Sequence, residues 1–182
     1  MPAIAVFGGA FAGKNEIYTN QAYRLGSLIA KRGFDLVFGG GKDGMMGAVA
    51  DGALAQGGKV IGVLPEFFNP EEVAHPQMHE IISVKNLQER KEVIRNISDA
   101  FISLPGGIGT LDEFFEMIAM NKLNLHLKPS GLLNTEGYFD PLMIMIKRME
   151  NEGFLNISNE PLFVIEEKPE QLMENLLQLM HL

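Results

Sequence analysis

Leu104-Pro-Gly-Gly-Ile-Gly-Thr-Leu-Asp-Glu-Phe-Phe-Glu-Met117 joins two kinds of chain. Before it, Ala100-Phe-Ile-Ser-Leu104 is a short apolar run of the kind that forms a buried strand; after it, apolar residues recur at helical spacing. A strand therefore turns into a helix here. Pro105, Gly106, Gly107 and Gly109 lie between the two, and glycines let a backbone turn sharply and approach a ligand closely. The peptide N–H groups of such a turn, with the unpaired N–H groups of the helix start, form a site for an anion, most often a phosphate. Thr110 and Glu113 also fit a capping box, with Asp112, Glu113 and Glu116 near the positive end of the helix dipole. A cap alone needs no loop of three glycines and a proline, so the stretch is read as a ligand loop.

Working outward, the same alternation fills the chain. Ala3–Phe7 is expected as a strand ending in Gly8-Gly9, Tyr18–Arg32 as a helix, Phe34–Phe38 as a strand leading into Gly39-Gly-Gly41, and 44–56 as a helix. Lys59–Leu64 is a third strand broken by Pro65, 66–79 a loop over the crevice, Ile81–Val84 a strand and Leu87–Ile97 a helix. Beyond the central stretch come the rest of its helix, ending before Pro129, a strand at Gly131–Asn134, a helix at Pro141–Glu152, a strand at Leu162–Ile165 and a helix at Pro169–Met180. The sum is a single α/β domain over residues 1–182: a Rossmann-like, doubly wound parallel sheet in three layers. In such a sheet the strand-to-helix turns gather at the carboxyl ends of the strands, so the loops around Gly8, Gly40 and Gly106 surround one crevice.

The composition removes several function classes. A net charge of −8 and no basic stripe disfavour nucleic acid, while a single nucleotide in an N–H nest stays compatible. With no cysteine, disulfides and thiolate metal sites are excluded, and cytoplasmic is the expected compartment. No apolar run is long enough for a membrane span. His75 and Glu72 lie in the 66–79 segment without partners at ligand spacing, so no metal and no cofactor are expected. Gly8, Gly13 and Lys14 imitate a phosphate-binding P-loop, but Asn15 stands where that motif needs Ser or Thr, and Ala10 removes the middle glycine of a dinucleotide fingerprint. Arg90 and Lys91 stand in the first turn of a helix, where positive charge opposes the dipole.

Pro105-Gly-Gly-Ile-Gly-Thr-Leu-Asp-Glu113 resembles the PGGxGTxxE motif of the LOG family, the cytokinin riboside 5′-monophosphate phosphoribohydrolases, also labelled putative lysine decarboxylases. The resemblance extends over nearly the whole chain, through Phe38-Gly-Gly-Gly-Lys-Asp-Gly-Met-Met-Gly47, Val73-Ala-His-Pro76, Gln88-Glu-Arg-Lys91 and Gly131-Leu-Leu-Asn-Thr-Glu-Gly-Tyr138. It implies a hydrolase that releases the base and ribose 5-phosphate from AMP or an N6-modified AMP, working as a homodimer. By the same resemblance Arg90 and Glu113 match the catalytic pair. The candidate binding set is Gly40, Gly41, Glu72, Arg90, Lys91 and the run Gly106, Gly107, Ile108, Gly109, Thr110, Leu111 and Asp112. The related molybdenum-cofactor carriers imply an alternative, a protein of this fold that holds a nucleotide-like ligand without turning it over. Literal lysine decarboxylation would need pyridoxal phosphate on a lysine, and no residue marks one. The chain departs from the family pattern in two places. Gly8-Gly-Ala-Phe11 replaces Cys-Gly-Ser-Ser, and Met120 and Lys122 stand where a Trp and a Gln are usual.

Overall fold

The computed structural model describes residues 1–156 and 162–180. Seven parallel strands form one sheet: β1 (Ala3–Phe7), β2 (Asp35–Phe38), β3 (Val60–Pro65), β4 (Glu80–Val84), β5 (Ala100–Ser103), β6 (Ser130–Leu133) and β7 (Val164–Glu166). Their spatial order is β4-β3-β2-β1-β5-β6-β7. β1 is central, with Ala5 opposite Val37 on one side and Phe101 on the other. Its five residues are all buried, as are those of β2, β3, β5 and β6, because helices cover both faces of a parallel sheet. That is why these strands read as continuous apolar runs rather than as alternating ones.

The helices are α1 (Ile17–Lys31), α2 (Gly44–Leu54), α3 (Pro70–Val73), α4 (Leu87–Ile97), α5 (Ile108–Lys122), α6 (Asp140–Asn151) and α7 (Pro169–Leu179). Ile4 and Val6 point to the face covered by α1, α2 and α7, where Leu25, Ile29, Val49, Leu172 and Leu176 are buried. Ala5 and Phe7 point to the other face, against Ile94 of α4 and Met117 of α5. Phe114, Ile118, Phe139 and Ile146 continue that layer between α5 and α6. α1 and α2 cross in near backbone contact: a Cβ on Gly26 would lie 1.9 Å from the Val49 carbonyl oxygen, and one on Gly52 1.9 Å from that of Tyr23.

Three expectations need correction. The 66–79 segment holds a helix, α3, which Asn69 opens by accepting from the Glu71 N–H (3.2 Å), with Pro70 at the first helical position. Pro65 belongs to β3 as its last residue, where a missing N–H costs the ladder little. The last strand runs Val164–Glu166, displaced from Leu162–Ile165, because Phe163 is buried with the α5–α6 cluster and Leu162 packs against it.

The chain winds from β1 outward to β4 and then returns past β1 to start β5. The winding direction thus reverses between β1 and β5. The loops leaving these two strands part there, and a crevice opens at their carboxyl ends.

Candidate active site

The crevice floor is the start of α5. The helix opens at Ile108, with Gly107 as its cap residue in an extended conformation (φ −91°, ψ −157°) and no side-chain cap. Thr110 is therefore the third helical residue, buried, and Glu113 lies a turn further along, so the capping box is not formed. The glycines divide the work. A Cβ on Gly106 would lie 2.2 Å from Thr110 Oγ1 and 3.0 Å from the Gly9 nitrogen, so Gly106 lets the β5 turn pack against the helix and the β1 turn. Gly107 and Gly109 would meet nothing within 4 Å and face open space. Among the described residues the N–H groups of Ile108, Gly109 and Thr110 donate to no backbone carbonyl. They carry the positive end of the α5 dipole into the crevice.

The wall comes from α4. Asn86 caps this helix by accepting from the Glu89 N–H (2.9 Å), and Glu89 accepts from the Lys85 N–H (2.7 Å), so the first turn supplies its own negative charge. Arg90 leaves α4 across the ends of β3 and β2. Its Nε donates to the Val63 carbonyl (3.1 Å), and its Nη2 occupies the place of a Gly39 side chain, 1.8 Å from where that Cβ would be. Gly39 is thus the condition for Arg90 to reach the crevice. Arg90 Nη1 stands 4.0 Å from Glu113 Oε1. Both side chains are largely buried, at 16% and 13% exposure. Burial pushes the Glu113 carboxyl up to about 7, with Asp112 and Glu116 adding to the rise and Arg90 and Lys91 opposing it. A carboxyl poised near neutrality beside a fixed cation, in a cleft, makes this pair the candidate chemical centre.

Gly107, Gly109, Thr110, Arg90 and Glu113 line one cleft with the β1 turn. Other candidates lie elsewhere. Lys91 is held by Glu116, and by Asp112 at 3.0 Å, which straps α4 to α5; these contacts, Glu116 first, raise its pKa against the opposing effect of burial. Asp112 is thereby engaged, and Ile108 is 84% exposed on the outer side of the helix start. Leu111 is half-buried and packs with the α5–α6 cluster. Glu72 is exposed and accepts from Asn69 Nδ2 (2.9 Å). Gly40 has φ +81° and its carbonyl accepts from the His75 N–H (2.9 Å). His75 is buried, with Nε2 3.0 Å from Asp51 Oδ1, and so fastens the 66–79 segment to α2. Among the described residues no three His, Asp or Glu side chains gather as a metal site.

Gly41 lines a neighbouring compartment that shares Phe11, Met46 and Arg90 with the main cleft and is closed by Leu64, Phe68 and Val73. A third compartment, sharing Phe11 and Gly107, runs between the β1 turn and Tyr138. Phe11 borders all three and is 87% exposed. Phe11, Met46, Phe68 and Tyr138 were not site candidates on sequence grounds. For Phe11 the signal was there: an aromatic residue in a turn flanked by Gly8, Gly9 and Gly13, too near the strand ends to reach the core.

The family described as possible lysine decarboxylase matches residues 46–176. The chain is 41% identical over 173 residues to a probable cytokinin riboside 5′-monophosphate phosphoribohydrolase of Oryza sativa subsp. japonica, covering 95% of this chain and 71% of that protein. A cytokinin riboside 5′-monophosphate phosphoribohydrolase of Arabidopsis thaliana is 38% identical, with 95% and 76% covered. Among solved structures, the molybdenum cofactor carrier protein of Chlamydomonas reinhardtii superposes with a TM-score of 0.74 at 25% identity, covering 100% of this chain and 99% of that one. The molybdenum cofactor binding protein of Rippkaea orientalis gives 0.73 at 26% identity, covering 98% and 97%.

Proposed function

The chain belongs to the LOG family, the phosphoribohydrolases within the possible lysine decarboxylase group, and from that premise we propose that it hydrolyses the N-glycosidic bond of a nucleoside 5′-monophosphate. Water and AMP, or an N6-modified AMP, give the free base and ribose 5-phosphate. The observation that carries this reading is the meeting of Glu113 and Arg90, 4.0 Å apart, beside the open N–H groups of the α5 start.

In this reading the phosphate sits on the N–H groups of Gly107 to Thr110, where the helix dipole and the missing side chains of Gly107 and Gly109 both favour it. The sugar then lies between that anion site and Glu113. As the bond from C1′ to the base nitrogen breaks, its electron pair leaves with the base and positive charge grows on C1′ and the ring oxygen. Ionised Glu113 stabilises that charge and takes a proton from the attacking water, whose oxygen forms the new bond to C1′; the proton then passes from Glu113 to the departing base, which leaves neutral, and the carboxylate is restored. Arg90, held through Nε, keeps its outer nitrogens for the ligand and for Glu113, whose ionised form it favours. The base extends toward Met46, Leu64 and Phe68. Lys91 acts through α5, holding the helix that carries Glu113.

The test is direct. Purified protein incubated with AMP, N6-isopentenyl-AMP, GMP and CMP should release base from the adenine nucleotides, measured by chromatography. No release above a no-enzyme control would sink the hydrolase reading. Tight nucleotide binding without turnover would favour the carrier alternative, which the likeness to the cofactor carriers keeps in view. We further propose a cytoplasmic homodimer. The absence of cysteine fits the reducing compartment. The exposed apolar residues Leu123, Leu125 and Leu127 after α5, with Ile144 and Met145 on α6, fit a self-complementary contact.

A further inference from the structure

We propose that Tyr138 is a positioning residue for the ligand phosphate: its hydroxyl fixes the Gly106–Gly107 peptide, and that peptide aims the Gly107 N–H. The inference rests on the phosphate site proposed above and assigns its control to a residue outside the α5 loop.

Gly106 and Gly107 carry no side chains, so nothing of their own sets the plane of the peptide between them, and glycine pairs rotate readily. In a trans peptide the carbonyl and the following N–H share a plane and point in opposite directions. Whatever holds the Gly106 oxygen therefore directs the Gly107 N–H. The Tyr138 hydroxyl donates to that oxygen at 2.5 Å.

The turn after β6 is built to deliver this ring. Glu136 and Gly137 both adopt left-handed conformations, φ 55° and 66°. For a glutamate this conformation is costly, so the surroundings must impose it. Asn134 does much of that: its Oδ1 accepts from the Phe139 N–H (2.7 Å), its Nδ2 donates to Asp140 (2.8 Å), and its carbonyl accepts from the Gly137 N–H (3.0 Å). The Tyr138 ring then stands edge-on to Phe139 (centroids 5.0 Å) and to Tyr18 of α1 (6.0 Å). Two aromatic neighbours fix the ring, the ring fixes the hydroxyl, and the hydroxyl fixes a peptide that has no other hydrogen bond among the described residues.

Tyr138→Phe keeps the ring and its contacts and deletes only the donor. The dissociation constants of AMP and of ribose 5-phosphate, measured by calorimetry, should rise together by about fivefold, the worth of one hydrogen bond. kcat should stay within about twofold, because the phosphate is held equally in ground and transition state. Unchanged constants for both ligands would overturn the proposal. So would a rise for AMP alone, which would move Tyr138 to the base end, or a fall in kcat with binding intact. A parent protein that binds both ligands but releases no base would sink the hydrolase reading and leave this one standing. A parent that hydrolyses AMP, with a Tyr138→Phe variant indistinguishable from it, would do the reverse.

Discussion

Replacing Glu113 by Gln keeps the size of the side chain and removes its charge, and activity and stability should then move in opposite directions. Loss of the charge facing an oxocarbenium-like transition state in a water-poor cleft should cost about 3 kcal/mol, a fall in kcat/KM of at least about a hundredfold. Stability follows from the raised pKa. The folded carboxyl titrates at about 7 against 4.5 in the unfolded chain, so between these values the native state binds more protons and stability falls as pH rises. Above pH 7 the native protein bears the full penalty of a buried charge, about 3 kcal/mol at most. Calorimetry should therefore find Glu113→Gln melting above the parent at pH 8, with the gap narrowing as pH falls through 7 and closing below 4.5. A variant less stable than the parent at pH 8 would show that burial does not disfavour this carboxylate. In the parent, kcat/KM for AMP should fall about tenfold per pH unit below 7, since the ionised form acts; a flat profile from pH 5 to 8 would remove Glu113 from the reaction. Neither effect was legible in the sequence. Glu113 could be found there through its motif, but the burial and the Arg90 contact that set its pKa come from α4 and the β1 turn, distant along the chain.

At the scale of elements, two adjacent glycines make a controlled comparison. Gly106→Ala forces a methyl against Thr110 and Gly9 and should destabilise the fold by about 2 kcal/mol or more. Gly107→Ala meets no atom within 4 Å, at a backbone conformation alanine accepts. It should melt with the parent while its methyl, standing in the anion site, raises KM for AMP by about tenfold. Equal KM values for Gly107→Ala and the parent would place the phosphate elsewhere. The α4–α5 strap gives a third case. Lys91→Met removes the partner of the exposed Asp112 and leaves Glu116 with Arg95, 3.9 Å away, and should lower stability by about 1 kcal/mol, with the KM for AMP within about twofold. A large KM rise at parental stability would instead return Lys91 to the ligand. Such distinctions show where the sequence was readable. The glycines and the strand-to-helix turn were, because a proline and three glycines between a strand pattern and a helix pattern mark a turn whatever the rest of the fold does. The start of α5 was not, because Thr110 and Glu113 mimic a cap while the helix in fact opens with the poor helix former Gly109 in its first turn. α3 stayed hidden because four residues leave no periodicity, although Asn69-Pro70 carried its start signal.

For the whole molecule, the alternation of buried strands and helices was legible because each unit is local, and it fixed the α/β class without the structure. The position of β1 beside β5 is non-local, and so is the crevice that their parting creates. The proposed dimer belongs to this scale: light scattering should find twice the 20.1 kDa of the chain at micromolar concentration, and a monomer there would rule it out. A further consequence follows from Phe11, the exposed ring at the junction of the three compartments. The chain has no tryptophan, so Phe11→Trp would carry its only indole. Its emission would serve as an optical gauge of occupancy, shifting when any compartment fills, and stopped-flow traces of that signal would separate ligand arrival from product departure within one turnover.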